Sequence, residues 1–338
     1  MAAELILLCW IVVLWLDKVE SNLFSKIGLT TARKNMDLSI CIVNWNRLDL
    51  LIPCLESIYK SIQHIHFEII VVDNASDDEI EVVIVRDFPQ VILIANEENL
   101  GFSRANNQAL KASKGKYCLL LNNDTVILDD ALNNMVTFME TREDVGVLTC
   151  ALYPGHDLSD VGISFGHTFP TPRILLLNDF VHLTGLTKLF PLNNWIQKSS
   201  WSGYDPEQEQ DVEHVSGACM MVRREVMEET GILDETYFMY MEETDWCYRI
   251  RQRGWRICYT PEAKIVHYGE QGSKLRNDRD ALYFKSICHF FQKHYGLKSV
   301  VGYKIVYYLL VKPLKMLRRI VYATGQCRMG VSLLKRLH

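Results

Sequence analysis

The chain has 338 residues, of which 49% are hydrophobic and 23% charged, and its formal net charge is -5. These values are ordinary for a globular protein, and the length suffices for one large core or two domains. A net acidic charge gives no general affinity for nucleic acid, so no nucleic-acid partner is expected.

The chain begins with an apolar leader. Leu5–Leu16 is an uninterrupted apolar run of twelve residues, shorter than the roughly 20 residues that span a bilayer. Glu4 stands where a signal peptide carries basic residues. Residues 1–35 are therefore interpreted as either an interfacial anchor or an appendage outside the core.

From Asp37 onwards, strand and helix patterns alternate. Strands are predicted at Leu38–Val43, Phe67–Val72, Val91–Ala95 and Tyr117–Leu121, and helices at Arg47–Ile62, Glu79–Arg86, Phe102–Ser113 and Ala131–Thr141. Gly115 is expected to end the third helix as a C-cap. This alternation predicts βαβ units and a parallel sheet, with the strand ends at one edge.

The second half is less regular. Residues 153–210 are rich in Pro, Gly, His and Ser, and are predicted to be an irregular insertion with short helices. Periodicity resumes with predicted strands at Val212–Val222, Ile257–Tyr259 and Lys264–His267, and helices at Glu243–Arg253 and Ala281–Tyr295. The ten cysteines include no C-x-x-C pair, which indicates buried free thiols.

The basic tail spans residues 296–338. It contains no Asp or Glu and nine Lys or Arg, so residues 1–295 carry -14, from 27 basic and 41 acidic residues. Basic residues interleaved with aliphatic and aromatic ones are typical of a helix in the lipid headgroup plane, and Pro313 predicts a helix, a kink and a second basic helix. The alternative is an ordinary packed helix with a solvated charged face.

Polar residues follow each of the first four predicted strands. They are Asn44-Trp45-Asn46, Asp73 to Asp77, Asn96 to Arg104, and Asn122-Asn123-Asp124. Open α/β sheets bind ligands at the carboxyl ends of their strands. Each block alone also fits a turn, but four in succession indicate a crevice for a nucleotide or a phosphate. The dinucleotide fingerprint G-x-G-x-x-G is absent after the first strand, which argues against an NAD or FAD enzyme.

Several ordered blocks of the chain resemble a known family. The blocks are Ile42–Arg47, Val71–Ser76, Asn99–Phe102, Leu121–Asp124, Gly217–Cys219, Glu242–Asp245 and His267. They are similar to those of family 2 inverting glycosyltransferases, most of all the rhamnosyltransferase-like branch, over about residues 37–273. The resemblance implies an α/β GT-A fold over residues 36–295, with a Rossmann-like, mainly parallel sheet flanked by helices.

The resemblance also implies a nucleotide site. Asp73 would accept hydrogen bonds from the base or ribose of a nucleoside diphosphate sugar. Gly101 would permit close backbone approach, and Arg104 would neutralise phosphate, unless it lies on a solvated helix face. The other residues assigned to the nucleotide site are Asn44, Asn46, Asn99 and Asn123.

The expected metal motif is Asp-x-Asp, whereas this chain reads Asn122-Asn123-Asp124. A single carboxylate makes a second ligand more necessary, and His267 is the candidate. Mg²⁺ or Mn²⁺ would take Asp124, His267, phosphate and water as ligands. The alternative for His267 is a satisfied core histidine.

The resemblance implies that an acid at the start of the Glu243–Arg253 helix is the general base. Glu243 occupies that position, where the family usually has Asp, and Glu242 stays an alternative. Asp245 is suited to stabilising the helix N-terminus and to pairing with Arg249 at i,i+4.

The resemblance implies a metal-dependent enzyme that transfers a sugar, with rhamnose a candidate, to a saccharide or lipid-linked acceptor with inversion, and the insertion at residues 153–210 would lie on the acceptor side. The enzyme would be cytoplasmic and peripheral at the inner face of the membrane. The alternative is a nucleotide-sugar-binding protein that has lost its catalytic activity. The Asn-Asn-Asp motif, with one carboxylate where the family has two, favours this alternative.

Overall fold

The computed structural model describes residues 36–155, 158, 161, 162, 165, 166, 168–184, 205–269 and 278–317. The described residues from Asp37 onwards belong to one compact unit. The predicted leader lies outside the described residues, as does the basic tail beyond residue 317.

The described residues form eleven strands and nine helices. The strands are β1 Leu38–Asn44, β2 Phe67–Asp73, β3 Ile92–Ala95, β4 Tyr117–Asn122, β5 Thr125–Ile127, β6 Val145–Tyr153, β7 Phe165–Gly166, β8 Gln210–Asp211, β9 His214–Val215, β10 Cys219–Arg223 and β11 Arg256–His267. The helices are α1 Leu48–Ser61, α2 Ile80–Asp87, α3 Phe102–Ala112, α4 Ala131–Thr141, α5 Pro172–Thr184, α6 Arg224–Thr230, α7 Glu242–Gln252, α8 Arg279–Tyr295 and α9 Leu297–Val306.

Nine strands form one sheet in the order β3-β2-β1-β4-β10-β6-β11-β5, with β8 paired to β11. The first four are parallel, β10 is reversed, and β6 and β11 again point with the first four. Six of the nine strands therefore share one direction, which confirms the predicted mainly parallel α/β sheet.

Helices cover both faces of this sheet. One face packs against apolar residues of α1, α2 and α4, and the other against those of α3, α6 and α7. Burial on both faces explains why β1 and β4 read as continuous apolar runs rather than alternating ones. The eight described cysteines are free and buried, as predicted.

The structure corrects several sequence-based boundaries. Gly115 is not a C-cap, because α3 ends at Ala112 and its C-cap residue is Ser113. Gly115 instead allows close packing, since a Cβ there would lie 2.5 Å from the backbone nitrogen of Ser39. The predicted strand Val212–Val222 is two strands, β9 and β10. The two predicted strands between 257 and 267 are one, β11, with an irregular register between Thr260 and Lys264. No strand was predicted at the positions of β5 and β6.

A third apolar cluster lies beside the carboxyl edge of the sheet. It joins α7, α8 and α9 through buried residues that include Tyr237, Phe290, Phe291, Val300 and Tyr303. After α9 the helix continues through a π-helical turn, Tyr307–Val311, into helical residues 312–317. The predicted interruption at Pro313 is thus a change of hydrogen-bonding pattern just before the proline. No helix within the described ranges combines the length and apolar character needed to cross a bilayer.

Candidate active site

The register of the sheet aligns the polar residues that follow the first four parallel strands at one edge. Asn44 pairs with Asp73, Asp73 with Ala95, and Val43 with Asn122. The four strand ends therefore meet at one edge, as expected. A cavity of about 890 Å³ opens there, lined by strand-end loops and by residues of α3, α5, α7, α8 and α9.

Hydrogen bonds around Ser76 tie the first two strand-end loops together. Its hydroxyl donates to Asp73 Oδ1 at 2.5 Å and accepts from the backbone of Asn46 at 2.8 Å and the side chain of Asn44 at 3.3 Å. Asn123 Nδ2 donates to Asn44 Oδ1 at 2.7 Å. Asp73 and Asn44 thus organise these loops, and a left-handed backbone at Asn46, with φ of 53°, completes the turn.

Asn74 organises the neighbouring loop, a role that the sequence did not indicate. Its buried side chain donates to Asn99 Oδ1 at 2.9 Å and accepts from Leu100 N at 3.0 Å. Asn99 also accepts from Gly101 N at 3.0 Å. Gly101 has φ of 83°, and a Cβ there would lie 2.5 Å from the carbonyl oxygen of Phe238. The close approach at Gly101 is therefore to Phe238.

Asp124 and His267 meet at the end of β4, because β11 pairs with β5 so that His267 faces Thr125. His267 Nε2 lies 3.3 Å from Asp124 Oδ1 and 3.3 Å from Asn122 Nδ2. Asp124 is buried, and its Oδ1 makes no hydrogen bond of good geometry with any described residue. The two predicted metal ligands are thus neighbours. No group of three or more His, Cys, Asp or Glu suited to a metal ion occurs among the described residues.

Glu242 and Glu243 begin α7 after a strained turn. Tyr240 and Met241 both have positive φ, at 71° and 72°, a conformation that costs energy in non-glycine residues and occurs often at functional sites. Both glutamates line the cavity, and neither Oε2 atom has a hydrogen-bond partner among the described residues.

Burial changes the acid strength of both glutamates. Desolvation raises the pKa of Glu243 to about 7. Desolvation, and then the nearby charge of Glu243, hold the pKa of Glu242 well above its ordinary value. A carboxylate with a pKa near 7 is well matched to accepting a proton at neutral pH. Glu242 is only 3% exposed, whereas Glu243 is partly exposed, so Glu243 is the more accessible of the two.

Asp245 has structural partners, as predicted. It is fully buried, and its carboxylate lies 2.9 Å from Arg249 Nε, 2.8 Å from Lys293 Nζ and 2.7 Å from His294 Nε2. Desolvation acts to raise the pKa of Asp245, but hydrogen bonds from His294 and Lys293 and the charge of Arg249 lower it overall.

The cavity gathers seven of the eleven candidate site residues: Asn99, Gly101, Asn123, Asp124, Glu242, Glu243 and His267. Asn44, Asn46 and Asp73 support it from behind through the Ser76 network. Arg104 is outside the lining and lies on the exposed side of α3, with Nε 3.9 Å from Glu235. The sequence did not single out the aromatic residues of the cavity wall, Tyr240, Tyr283, Phe284, Tyr303 and Tyr307.

A mainly parallel sheet with an acid-lined cavity at its carboxyl edge is typical of ligand-binding α/β enzymes. The family model described as Glycosyl transferase family 2 matches residues 39–231, more than half of the chain, so the chain belongs to that family.

Curated relatives share about a quarter of their aligned residues with this chain. The O-antigen biosynthesis protein RfbC of Myxococcus xanthus is 24% identical over 241 residues, which are 68% of this chain and 17% of the relative. An N-acetylglucosaminyl-diphospho-decaprenol L-rhamnosyltransferase of Mycobacterium tuberculosis is 26% identical, over 59% of this chain and 66% of the relative. Rhamnosyltransferase WbbL of Escherichia coli is 25% identical, over 70% and 84%. The chain thus spans less than two thirds of the first two relatives.

Solved structures confirm the fold. Mannosyltransferase PcManGT from Pyrobaculum calidifontis, in complex with GDP-Man and Mn²⁺, has a TM-score of 0.52 at 17% identity, covering 88% of this chain and 79% of its own. GalNAc-T7 with UDP, GalNAc and Mn²⁺ has a TM-score of 0.51 at 15% identity, covering 70% and 44%. The predicted GT-A fold is therefore confirmed.

Proposed function

We propose that this chain transfers a sugar from a nucleoside diphosphate sugar to an acceptor hydroxyl by a single displacement that inverts the anomeric carbon. The observation that carries the proposal is the shared cavity of Glu243 and the Asp124–His267 pair. One wall holds a carboxylate with a pKa of about 7, and the strand edge holds two ligands suited to a cation.

Glu243 acts as the general base. Its carboxylate takes the proton of the acceptor hydroxyl, and the oxygen attacks the anomeric carbon as the bond to the diphosphate oxygen breaks. The attack comes from the face opposite the diphosphate, so the configuration inverts without a covalent enzyme intermediate. Glu242 remains the second candidate for this role, because its Oε2 is also unpaired within the described part of the chain.

Asp124 and His267 fit a divalent cation, Mg²⁺ or Mn²⁺. Their ligand atoms are 3.3 Å apart, close to the roughly 3 Å that separates adjacent ligands at bond lengths of about 2.1 Å. Burying a carboxylate oxygen that accepts no hydrogen bond also costs free energy, unless a cation binds to that oxygen. A bound cation would neutralise the charge of the departing diphosphate. Mn²⁺ in the similar mannosyltransferase structure supports this assignment.

Asn99, Gly101 and Asn123 form the nucleotide side of the site, with Asn44, Asn46 and Asp73 behind them. Asp73 accepts a hydrogen bond from Ser76, and its carboxylate has further acceptor capacity for a base or ribose. Arg104 would serve the nucleotide from the margin of the site. The relatives support rhamnose as a candidate sugar and a saccharide or lipid-linked acceptor.

The protein works at the cytoplasmic face of a membrane, in peripheral contact with it. The support is the exposed surface of α9 and the following residues, where Leu297, Ile305 and Leu309 are all more than half exposed beside the exposed Lys298 and Lys304. Apolar groups interleaved with lysines suit an anionic lipid surface.

The test is consumption of nucleotide sugars. Release of nucleoside diphosphate is measured with UDP-, GDP- and dTDP-sugars, with Mn²⁺ and with excess chelator. Wild type is expected to release nucleoside diphosphate from at least one donor in the presence of Mn²⁺, and Glu243→Gln to bind that donor without turning it over. A protein that binds donors but never consumes them would instead support the decayed binding protein.

A further inference from the structure

The segment that leads into the glutamates of α7 has no regular secondary structure. Residues 231–241 join α6 to α7 and form neither a helix nor a strand. The segment ends in the turn whose residues Tyr240 and Met241 both have positive φ. Such a turn of non-glycine residues persists only where the surrounding structure holds it in place. The position of Glu243 therefore depends on the side chains that contact this segment.

Helix α8 contacts the segment from one helical face. Four pairs of residues meet in reverse chain order: Tyr283 with Tyr240, Ser286 with Met239, His289 with Thr236, and Lys293 with Asp234. Residues spaced three or four apart lie on one face of a helix. Helix α8 therefore runs antiparallel to the segment and supports it from the strained turn back to Asp234.

The polar contacts made by this face of α8 are short. Ser286 Oγ donates a hydrogen bond to the carbonyl oxygen of Met239 at 2.8 Å, directly before the strained turn. His289 Nε2 lies 2.7 Å from Thr236 Oγ1. These distances are those of good hydrogen bonds, so the segment is held by directional contacts as well as by packing.

Lys293 contacts both sides of the glutamates. Its Nζ lies 2.6 Å from Asp234 Oδ2, and 2.8 and 2.9 Å from the two carboxylate oxygens of Asp245. An ammonium group has three N–H donors and can therefore serve two carboxylates at once. Asp234 precedes the strained turn, and Asp245 lies in the first turn of α7. One side chain of α8 thus joins the two ends of the stretch that holds Glu242 and Glu243.

Both carboxylates of this bridge are ionised. Desolvation acts to raise the pKa of Asp234, but a hydrogen bond from Lys293 holds it well below its ordinary value. Desolvation also acts to raise the pKa of Asp245, and hydrogen bonds from His294 and Lys293 lower it overall. Asp245 keeps His294 and Arg249 as partners when Lys293 is replaced. Replacement of Lys293 therefore opens the bridge without leaving an unpaired buried charge.

Contacts with α3 hold the segment independently of Lys293. Asn107 Nδ2 donates to the carbonyl oxygen of Leu233 at 2.8 Å, and the backbone nitrogen of Phe102 donates to the carbonyl oxygen of Phe238 at 2.7 Å. Loss of the Lys293 bridge should therefore release the start of α7 and leave the nucleotide side of the site in place.

We propose that Lys293 is a positioning residue for the transfer reaction. By joining Asp234 to Asp245, its ammonium group fixes the strained turn and places the Glu243 carboxylate in the cavity. Lys293 is outside the described lining of the cavity, so it acts through Glu243 and not on the substrates. This inference rests on the proposed function and assigns a support to its general base.

Lys293→Met tests this role, because methionine keeps most of the side-chain length and removes the charge. Release of nucleoside diphosphate by the full chain is measured with Mn²⁺ and whichever of UDP-glucose, GDP-mannose and dTDP-rhamnose wild type consumes fastest. Lys293→Met should lower kcat about 10- to 100-fold, as expected for a misplaced catalytic group, and keep the KM for the donor within about twofold. Lys285→Met is the matched control, since Lys285 is exposed on the same helix, and it should change neither value by more than about twofold.

Asp234→Asn opens the bridge from its other end and leaves the buried Asp245 unchanged. It should lower kcat at least about fivefold and leave the KM unchanged. Because both substitutions break one bridge, Lys293→Met/Asp234→Asn should lower kcat no more than about twofold beyond Lys293→Met. Independent effects that multiply in the double variant would overturn the proposal. Wild-type kcat in Lys293→Met, or a KM that rises as much as kcat falls, would overturn it as well.

Hydrogen–deuterium exchange separates positioning from a general loss of structure, and it requires no turnover. Lys293→Met should exchange faster than wild type in residues 234–245 and at the wild-type rate in β1, β2 and β4. Faster exchange throughout the sheet would make Lys293 a structural residue and overturn the proposal, as would unchanged exchange in residues 234–245. Failure of wild type to consume any of the three donors would instead refute the proposed function, and the exchange result would then decide for or against the Lys293 bridge by itself.

Discussion

His267 Nε2 lies 3.3 Å from Asp124 Oδ1, at the point where β4 ends and β11 passes beside β5. The pairing of β11 with β5 fixes this distance through the backbone, since His267 faces Thr125 in the register. Under the proposed function, His267 would be the second ligand that a motif with one carboxylate needs.

Metal binding is expected to depend on both members of this pair. Asp124→Asn and His267→Ala should each lower sugar transfer about 100-fold or more, because the departing diphosphate loses charge stabilisation. Excess EDTA should abolish wild-type transfer, and Mn²⁺ or Mg²⁺ should restore it. Asp77→Asn, which changes an exposed acid of a nearby loop, is the control and should keep full activity. Full wild-type activity in EDTA would return His267 to a packing role.

Binding to anionic membranes should depend on the lysines of α9. Removing the whole tail is unsuitable, because Val300 and Tyr303 are buried and Tyr303 lines the cavity. The double variant Lys298→Glu/Lys304→Glu should pellet with phosphatidylglycerol vesicles at least about tenfold less than wild type, since each lysine contributes on the order of 1 kcal/mol.

Lys60→Glu/Lys114→Glu is the control for this membrane test, because both residues are exposed elsewhere on the surface. It should bind vesicles like wild type at low salt, and high salt should release both proteins in part. Equal loss of binding in the two double variants would show a diffuse charge effect. No loss in either would leave the apolar leader as the remaining anchor.

Asp245→Asn should lower stability far more than it affects donor binding. The substitution leaves Arg249, Lys293 and His294 around a neutral side chain, and loss of one member of a buried ion cluster costs about 3 kcal/mol. Urea unfolding at pH 7 measures the change. Asp144→Asn removes a partner of Arg256 that is 62% exposed and should cost less than about 1 kcal/mol. Equal losses in the free energy of unfolding for Asp245→Asn and Asp144→Asn would mean that the burial of Asp245 does not increase its contribution to stability.

Glu243→Gln should stabilise the protein above neutral pH. Because desolvation raises the pKa of Glu243 to about 7, the folded state binds more protons than the unfolded state between about pH 4.5 and 7. Wild-type stability is therefore lost as pH rises through this range, by up to about 3 kcal/mol from this group.

The glutamine variant lacks this loss, so its advantage in free energy of unfolding should grow from pH 5 to pH 8. Denaturant unfolding at the two pH values checks the difference. A constant difference would contradict the raised pKa of Glu243.

The sequence predicted the strand edge of the site better than the opposite wall. Strand ends can be predicted because an apolar run such as Tyr117–Leu121 stops abruptly at polar residues. Parallel pairing then places the ends of neighbouring strands at the same edge of the sheet. The role of Asn74 was not predicted, because the local sequence does not distinguish an amide that organises a loop from one that faces solvent. The aromatic residues of the cavity wall were not predicted for a related reason. Tyr283 and Tyr307 each belong to an apolar helical pattern of the kind that ordinary core residues form. Only the packing of α8 and α9 turns them toward a cavity.

The most direct measurement is the pH dependence of donor turnover for wild type beside single-turnover transfer by Glu243→Gln. In wild type, kcat/KM should rise with pH and level off above a pKa of about 7, the value for Glu243, because the base must be ionised. Glu243→Gln should keep donor affinity and lose transfer by about 100- to 10,000-fold. Equal transfer by wild type and Glu243→Gln, with Glu242→Gln inactive, would contradict the assignment and move the general base to Glu242.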